Sequence, residues 1–123
     1  MMPEPIITRS DERIAVDGQS FSIHEWRGSG PGYLHIHYAD DEAWHVLEGT
    51  LRFRFANKEV DVTAGTTVFV PAGVPHDYRA LGEDTRYIII LTPRLKGLIE
   101  KLHTVPFDKH KEIIRKYQSE IVE

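Results

Sequence analysis

The stretch His35-Ile36-His37-Tyr38-Ala39-Asp40-Asp41-Glu42-Ala43-Trp44-His45 decides how this sequence is read. On an extended strand successive side chains point to opposite faces. His35 and His37 therefore leave the same face with Cα atoms about 6.6 Å apart, close enough for two imidazole nitrogens to meet one ion. Ala39-Asp40-Asp41 reads as a turn whose aspartates are solvated turn formers. A tight hairpin there sets position 37 opposite 42 and 35 opposite 44, bringing Glu42 and Trp44 onto the histidines' face. His45 has the opposite parity and belongs to the outer face, as a packing or interface histidine. The chain holds seven histidines, and His35, His37, His45 and His76 fall within 42 residues of strand-like sequence.

Working outward, residues 13 to 91 read as eight or nine short strands punctuated by Gly, Pro, Asn or Asp, the spacing of an all-β sandwich or barrel. In Leu51-Arg52-Phe53-Arg54-Phe55 the alternation is strict, which turns Leu51, Phe53 and Phe55 to the core and both arginines outward. Ile88-Ile89-Ile90-Leu91 is apolar on both faces, and its outer half is most simply covered by a second copy of the chain, a homodimer. After Pro93 the period changes. Leu95, Leu98, Ile99 and Leu102 form the stripe of an amphipathic helix that starts with a proline. A second helix is expected from an Asp108 N-cap, with Ile113, Ile114, Tyr117 and Ile121 on one side. The chain thus divides into an N-terminal arm (1–11), a barrel (12–92) and a helical extension (93–123). The extension is read as a lid or clamp on the barrel's outside, with His103 and His110 solvated.

The 123 residues suffice for one domain with one core. The net charge of −4 offers no footprint for a phosphate backbone, so nucleic acid is not an expected partner. Up to position 93 there are 8 basic and 14 acidic residues, and from 94 onward 7 and 5, a shift that supports a boundary there. No apolar run of membrane-spanning length and no leader peptide is visible. With no cysteine, thiolate chemistry and disulfides are excluded, which is compatible with a cytoplasmic location.

Downstream, Gly65, Pro71, Gly73 and His76 bracket a strand and a tight turn. The pattern His35-x-His37-x4-Glu42-x6-Gly49, followed by Gly65-x5-Pro71-x-Gly73-x2-His76, closely resembles the two motifs of the cupin superfamily. Gly65 follows Gly49 by sixteen positions, close to the short inter-motif gap of small bacterial cupins. The resemblance implies a small double-stranded β-helix, or jelly-roll, barrel. It also implies that His76 crosses to join His35, His37 and Glu42 around one divalent ion, with Fe, Mn, Ni, Co and Zn all compatible with a ligand set free of thiolate. Two positions depart from the family pattern: Ser29 stands where its first motif usually opens with glycine, and Ala80 where its second usually ends with asparagine. Neither is a ligand position.

The whole chain, helices included, resembles small cupins described as quercetin-dioxygenase-like. That implies a metal-dependent oxygenase acting on a small enolic or aromatic oxygen-rich substrate, with Glu42 both ligating the ion and taking the proton of an enolic hydroxyl. Trp44, Phe53, Tyr78 and Ile90 are the expected pocket walls, and His24 is placed near the mouth. Two alternatives stand beside this reading. One is a redox-neutral isomerase, lyase or decarboxylase, against which the outward parity of Arg52, Arg54 and Arg79 counts. The other is a small-ligand-binding cupin without turnover.

Overall fold

The computed structural model describes residues 4–123; of the expected N-terminal arm, positions 1–3 lie outside the described residues. Ten strands form among the described residues: β1 (Ala15–Asp17), β2 (Ser22–Trp26), β3 (His35–His37), β4 (Glu42–Glu48), β5 (Thr50–Arg54), β6 (Glu59–Thr63), β7 (Thr67–Val70), β8 (Asp77–Ala80), β9 (Arg86–Leu91) and β10 (Ser119–Ile121). All pair antiparallel. One sheet runs β1-β2-β9-β4-β7; β6-β5-β8 and β10-β3 form the opposite face. A bridge between His35 and His76, immediately before β8, joins those two pieces. The result is the jelly-roll barrel of the cupin fold, all-β apart from two short helices.

Period-two alternation positions the core. In β4, Glu42, Trp44 and Val46 are buried while Ala43, His45 and Leu47 are half-buried on the other side. In β5, Leu51 and Phe53 are fully buried. Aromatic rings tie the layers together. Trp44 meets Phe53 edge-on at 5.0 Å and Tyr78 at 5.4 Å, and Tyr78 meets Tyr87 at 5.6 Å, pairs worth roughly 0.5–1.5 kcal/mol each beyond their burial. The β4–β5 turn depends on Gly49. Its φ of +77° is unfavourable for a side chain, and a Cβ there would sit 2.8 Å from the Thr85 Cα.

Three expectations about the strands are corrected. β3 and β4 do not form a hairpin: β3 pairs with β10, Ser119 lying opposite His37, while β4 pairs with β7 and β9. Glu42 still shares the histidines' interior because its own strand's parity turns it inward. In the isoleucine run, Tyr87, Ile89 and Leu91 face in, whereas Ile90 faces out at 37% exposed, so Ile90 is no pocket wall. Asp40 is buried, with Arg94 Nη1 at 3.5 Å from its carboxylate, and Asp41 accepts from the Ala72 amide at 2.9 Å, fixing the turn that leads to His76.

The extension carries α1 (Pro93–Leu102) and α2 (His110–Arg115). α1 starts as its sequence dictates, with Pro93 in the first turn and Thr92 Oγ1 accepting from the Leu95 amide at 3.2 Å, a cap worth about 1 kcal/mol. α2 is shorter than expected. Asp108 lies in a preceding 3-10 turn, Phe107–Lys109, and caps nothing with its side chain. Ile121 belongs to β10, not to the helix. Neither helix is long and apolar enough to cross a membrane.

Candidate metal centre

His35 and His37 point into the barrel from alternate positions of β3, both buried. His76 arrives from the opposite direction. Pro71-Ala72-Gly73-Val74 turns tightly, Gly73 at φ +91° donates its amide to His37 O at 2.8 Å, and His76 then exchanges both backbone hydrogen bonds with His35, at 2.9 and 3.1 Å. The three rings have centroids 4.4–5.2 Å apart, and one nitrogen of each lies within 4.8 Å of the others. From β4, Glu42 Oε1 comes within 3.2 Å of His76 Nε2 and 3.3 Å of His37 Nε2. Both histidines of the first motif, the carboxylate and the distant His76 are thus brought together.

The outer nitrogens decide what this cluster can hold. Nδ1 of His35 bonds Tyr33 O at 3.0 Å and Nδ1 of His76 bonds Val74 O at 2.9 Å. A carbonyl only accepts, so each imidazole spends its hydrogen there. Nδ1 of His37 bonds Ser119 Oγ at 2.7 Å, whose own hydrogen goes to Tyr117 O at 3.1 Å. In their neutral forms all three histidines therefore present Nε2 lone pairs inward, beside a carboxylate. Such convergence of acceptors is unfavourable unless a cation, or a proton on Nε2, sits among them, so the donor set fits a divalent ion. Burial, reinforced by the closeness of the His76 and His37 rings, pushes the His35 imidazole down to about 3 and keeps it neutral. For Glu42, burial pushes the carboxyl up, but a positive group on its His37 and His76 side, a proton on Nε2 or a cation in its place, outweighs burial and lowers it.

A cavity of about 180 Å³ opens onto His35, His37 and Glu42. Its walls correct the expected set. Tyr78 lines it, but Trp44 and Phe53 do not; both are fully buried behind the histidines, Trp44 packing edge-on against His76 at 5.6 Å. Ile89 takes the place expected for Ile90. The extension supplies the roof, Leu98, Ile99, Leu102 and His103 on one side and His110 and Ile114 on the other. It is therefore part of the site and not an outer clamp. His110, expected to be solvated, is half-buried between the Tyr33 hydroxyl at 2.9 Å and Leu102 O at 3.2 Å; exposed His103 stacks on Trp26. Burial pushes the Tyr33 phenol up to about 12, so it stays neutral at ordinary pH. His24 sits away from the mouth on Asp17, and His45 bonds Thr67 on the outer face. The leucine stripe of α1 was visible in the sequence. Which opening it covers was not, and nothing local marked Ser119 as a partner of His37.

Comparison with known proteins agrees with this fold. An 85-residue segment is 31% identical to quercetin 2,3-dioxygenase of Bacillus subtilis, covering 66% of this chain but 24% of that protein. A 56-residue segment is 32% identical to an uncharacterized protein of Streptomyces coelicolor, covering 46% of this chain and about half (53%) of the relative. Among solved structures, a cupin-2 domain protein of Shewanella frigidimarina superposes with a TM-score of 0.53 at 29% identity, covering 66% of this chain and 78% of that one. KdgF from Halomonas sp., at TM-score 0.57, 21% identity and coverage of 71% and 83%, shares the fold. The Cupin_2 family profile, described as a cupin domain, matches residues 21–91, more than half of the sequence, and the chain belongs to that family.

Proposed function

We propose that this cupin is a metal-dependent oxygenase for a compact, uncharged enol or single-ring phenol. The observation that carries the reading is the pairing of three inward Nε2 lone pairs and an ionised carboxylate with a cavity whose remaining walls are mainly apolar and aromatic. His35, His37, His76 and Glu42 would hold the ion, of Fe, Mn, Ni, Co or Zn type. When bound, it supplies the charged centre that orients the substrate oxygen and O2.

The chain's own residues do the rest. Glu42, the carboxylate that lines the cavity, accepts the proton of an enolic hydroxyl. The enolate is the electron donor and O2 the acceptor, both oxygen atoms entering the product. Leu98, Ile99, Leu102 and Ile114 exclude water over the site. At about 180 Å³ the cavity falls below the roughly 300–1,000 Å³ of pockets for drug-sized ligands, which favours a substrate smaller than a three-ring flavonol. No lysine or arginine lines it among the described residues; Arg52, Arg54 and Arg79 line an outer groove that adjoins it across Ser29, Gly30 and Tyr78. That disfavours a sugar phosphate or carboxylate, and with it the redox-neutral alternative. The partial match to a quercetin dioxygenase supports the oxygen chemistry. Metal-loaded protein is expected to consume O2 in an oxygen-electrode screen of enediols, catechols and other small phenols. No uptake with any of them, alongside tight binding of one, would favour a binding module instead.

A homodimer and a cytoplasmic location belong to the same reading. Ile23, Ile90, Ala43 and Phe69 lie in one row across the outer face of the five-stranded sheet, with Ile90 37% and Phe69 62% exposed. A second copy would cover this row. Light scattering at micromolar concentration should give twice the chain mass, and Phe69→Glu should halve it; a monomeric wild type would contradict the dimer.

A further inference from the structure

His35 and His76 each use the carbonyl two residues upstream to hold their Nδ1 hydrogen. For His37 the equivalent carbonyl, His35 O, already accepts the His76 amide at 2.9 Å. Its partner comes instead from 82 positions later: Ser119 Oγ, at 2.7 Å, on a residue 3% exposed. Because Ser119 directs its own hydrogen to Tyr117 O, it offers His37 an acceptor. Several contacts place it there. Gln118, at φ +58°, turns the chain out of α2 into β10, whose register sets Ser119 opposite His37. Beyond the strand, Glu123 accepts from the Leu34 amide at 2.8 Å and from Arg54 Nη1 at 2.6 Å, clasping the segment to the barrel.

We infer that Ser119 is a positioning residue of the metal centre, fixing His37 as the Nδ1–H tautomer with its Nε2 lone pair aimed inward. The inference rests on the metal-binding reading above. Without Ser119, the neutral His37 ring gains by moving its hydrogen to Nε2, where Glu42 Oε1 waits at 3.3 Å. That hydrogen occupies the lone pair the ion needs. The extension thereby completes the donor set as well as roofing the cavity.

The test is calorimetric titration of Co(II) and Zn(II) into the full chain, wild type against Ser119→Ala and Ser119→Thr, with 15N correlation spectra of the metal-free imidazoles. Loss of such an orienting contact typically weakens metal binding about 10–100-fold, the range expected for Ser119→Ala, while Ser119→Thr should restore it to within a few-fold of wild type. The metal-free wild type should show His37 hydrogen on Nδ1, and Ser119→Ala should move it to Nε2. Wild-type affinity in Ser119→Ala overturns the inference, as does a wild-type His37 that carries no hydrogen on Nδ1, a measurement that needs no variant to fold. A wild type with the expected tautomer that binds neither ion would overturn the metal reading itself, and with it this role for Ser119.

Discussion

Replacing His76 by alanine should remove the bound metal and leave the barrel standing. His76 is 1% exposed, supplies one of three inward nitrogens and meets Glu42 at 3.2 Å. Since loss of a contact that merely orients a ligand costs about 10–100-fold in affinity, loss of the ligand itself should cost more than ~100-fold. The barrel is held by other groups. Trp44, Phe53, Leu51 and Tyr87 are fully buried and join both layers without the ion. The cavity left by the imidazole should cost about 2–4 kcal/mol, within the roughly 5–15 kcal/mol by which domains are stable. Elemental analysis and a thermal melt read the two effects separately. An unfolded variant would make the ion the main staple of the fold, and full occupancy would remove His76 from the site.

Glu42→Gln should separate catalysis from binding. The amide keeps the size and one coordinating oxygen but loses the charge and the capacity to take a proton. Its N–H₂ can also donate to the Nε2 lone pairs of His37 and His76, which Glu42 faces at 3.3 and 3.2 Å, stabilising the metal-free state. Metal affinity should fall about tenfold, whereas turnover should fall about 10²–10⁴-fold at saturating metal, the usual worth of a positioned base. A binding module has no proton-transfer step and would show modest, parallel losses in metal and ligand affinity. Full activity in the variant would rule out Glu42 as the base.

The sequence showed faces better than it showed neighbours. The alternation Leu51-Arg52-Phe53-Arg54-Phe55 placed Leu51 and Phe53 in the core, with Phe55 half-buried against it just past the strand, and turned both arginines outward, because strand parity is a local property. The same rule put His35 with His37 on one face and Glu42 with Trp44 on one face; that both faces are interior was reached through a hairpin that does not form. It could not say that His37 sits opposite Ser119 and not Glu42, since a three-residue strand can pair with any edge that the rest of the fold brings near. In Ile88-Ile89-Ile90 the parity signal vanishes because both faces are apolar, so Ile90 was assigned inward where Ile89 belongs. The helices failed differently. Their apolar stripe was legible, but His110 looked solvated because its partners, Tyr33 Oη and Leu102 O, are neighbours only after α1 and α2 fold over the barrel mouth. That His76 reaches β3 was implied by the family resemblance alone; the physical cause is the Gly73 turn docked on His37 O.

Coordination of one divalent ion by the three histidines and Glu42 is tested by anomalous scattering from crystals grown with Co(II) or Mn(II) and collected at the metal edge. One peak per chain is expected, about 2.0–2.3 Å from Nε2 of His35, His37 and His76 and from a Glu42 oxygen. A site in which Glu42 and His76 keep their direct contact with no peak between them at saturating metal, or a peak ligated through other residues, would contradict it.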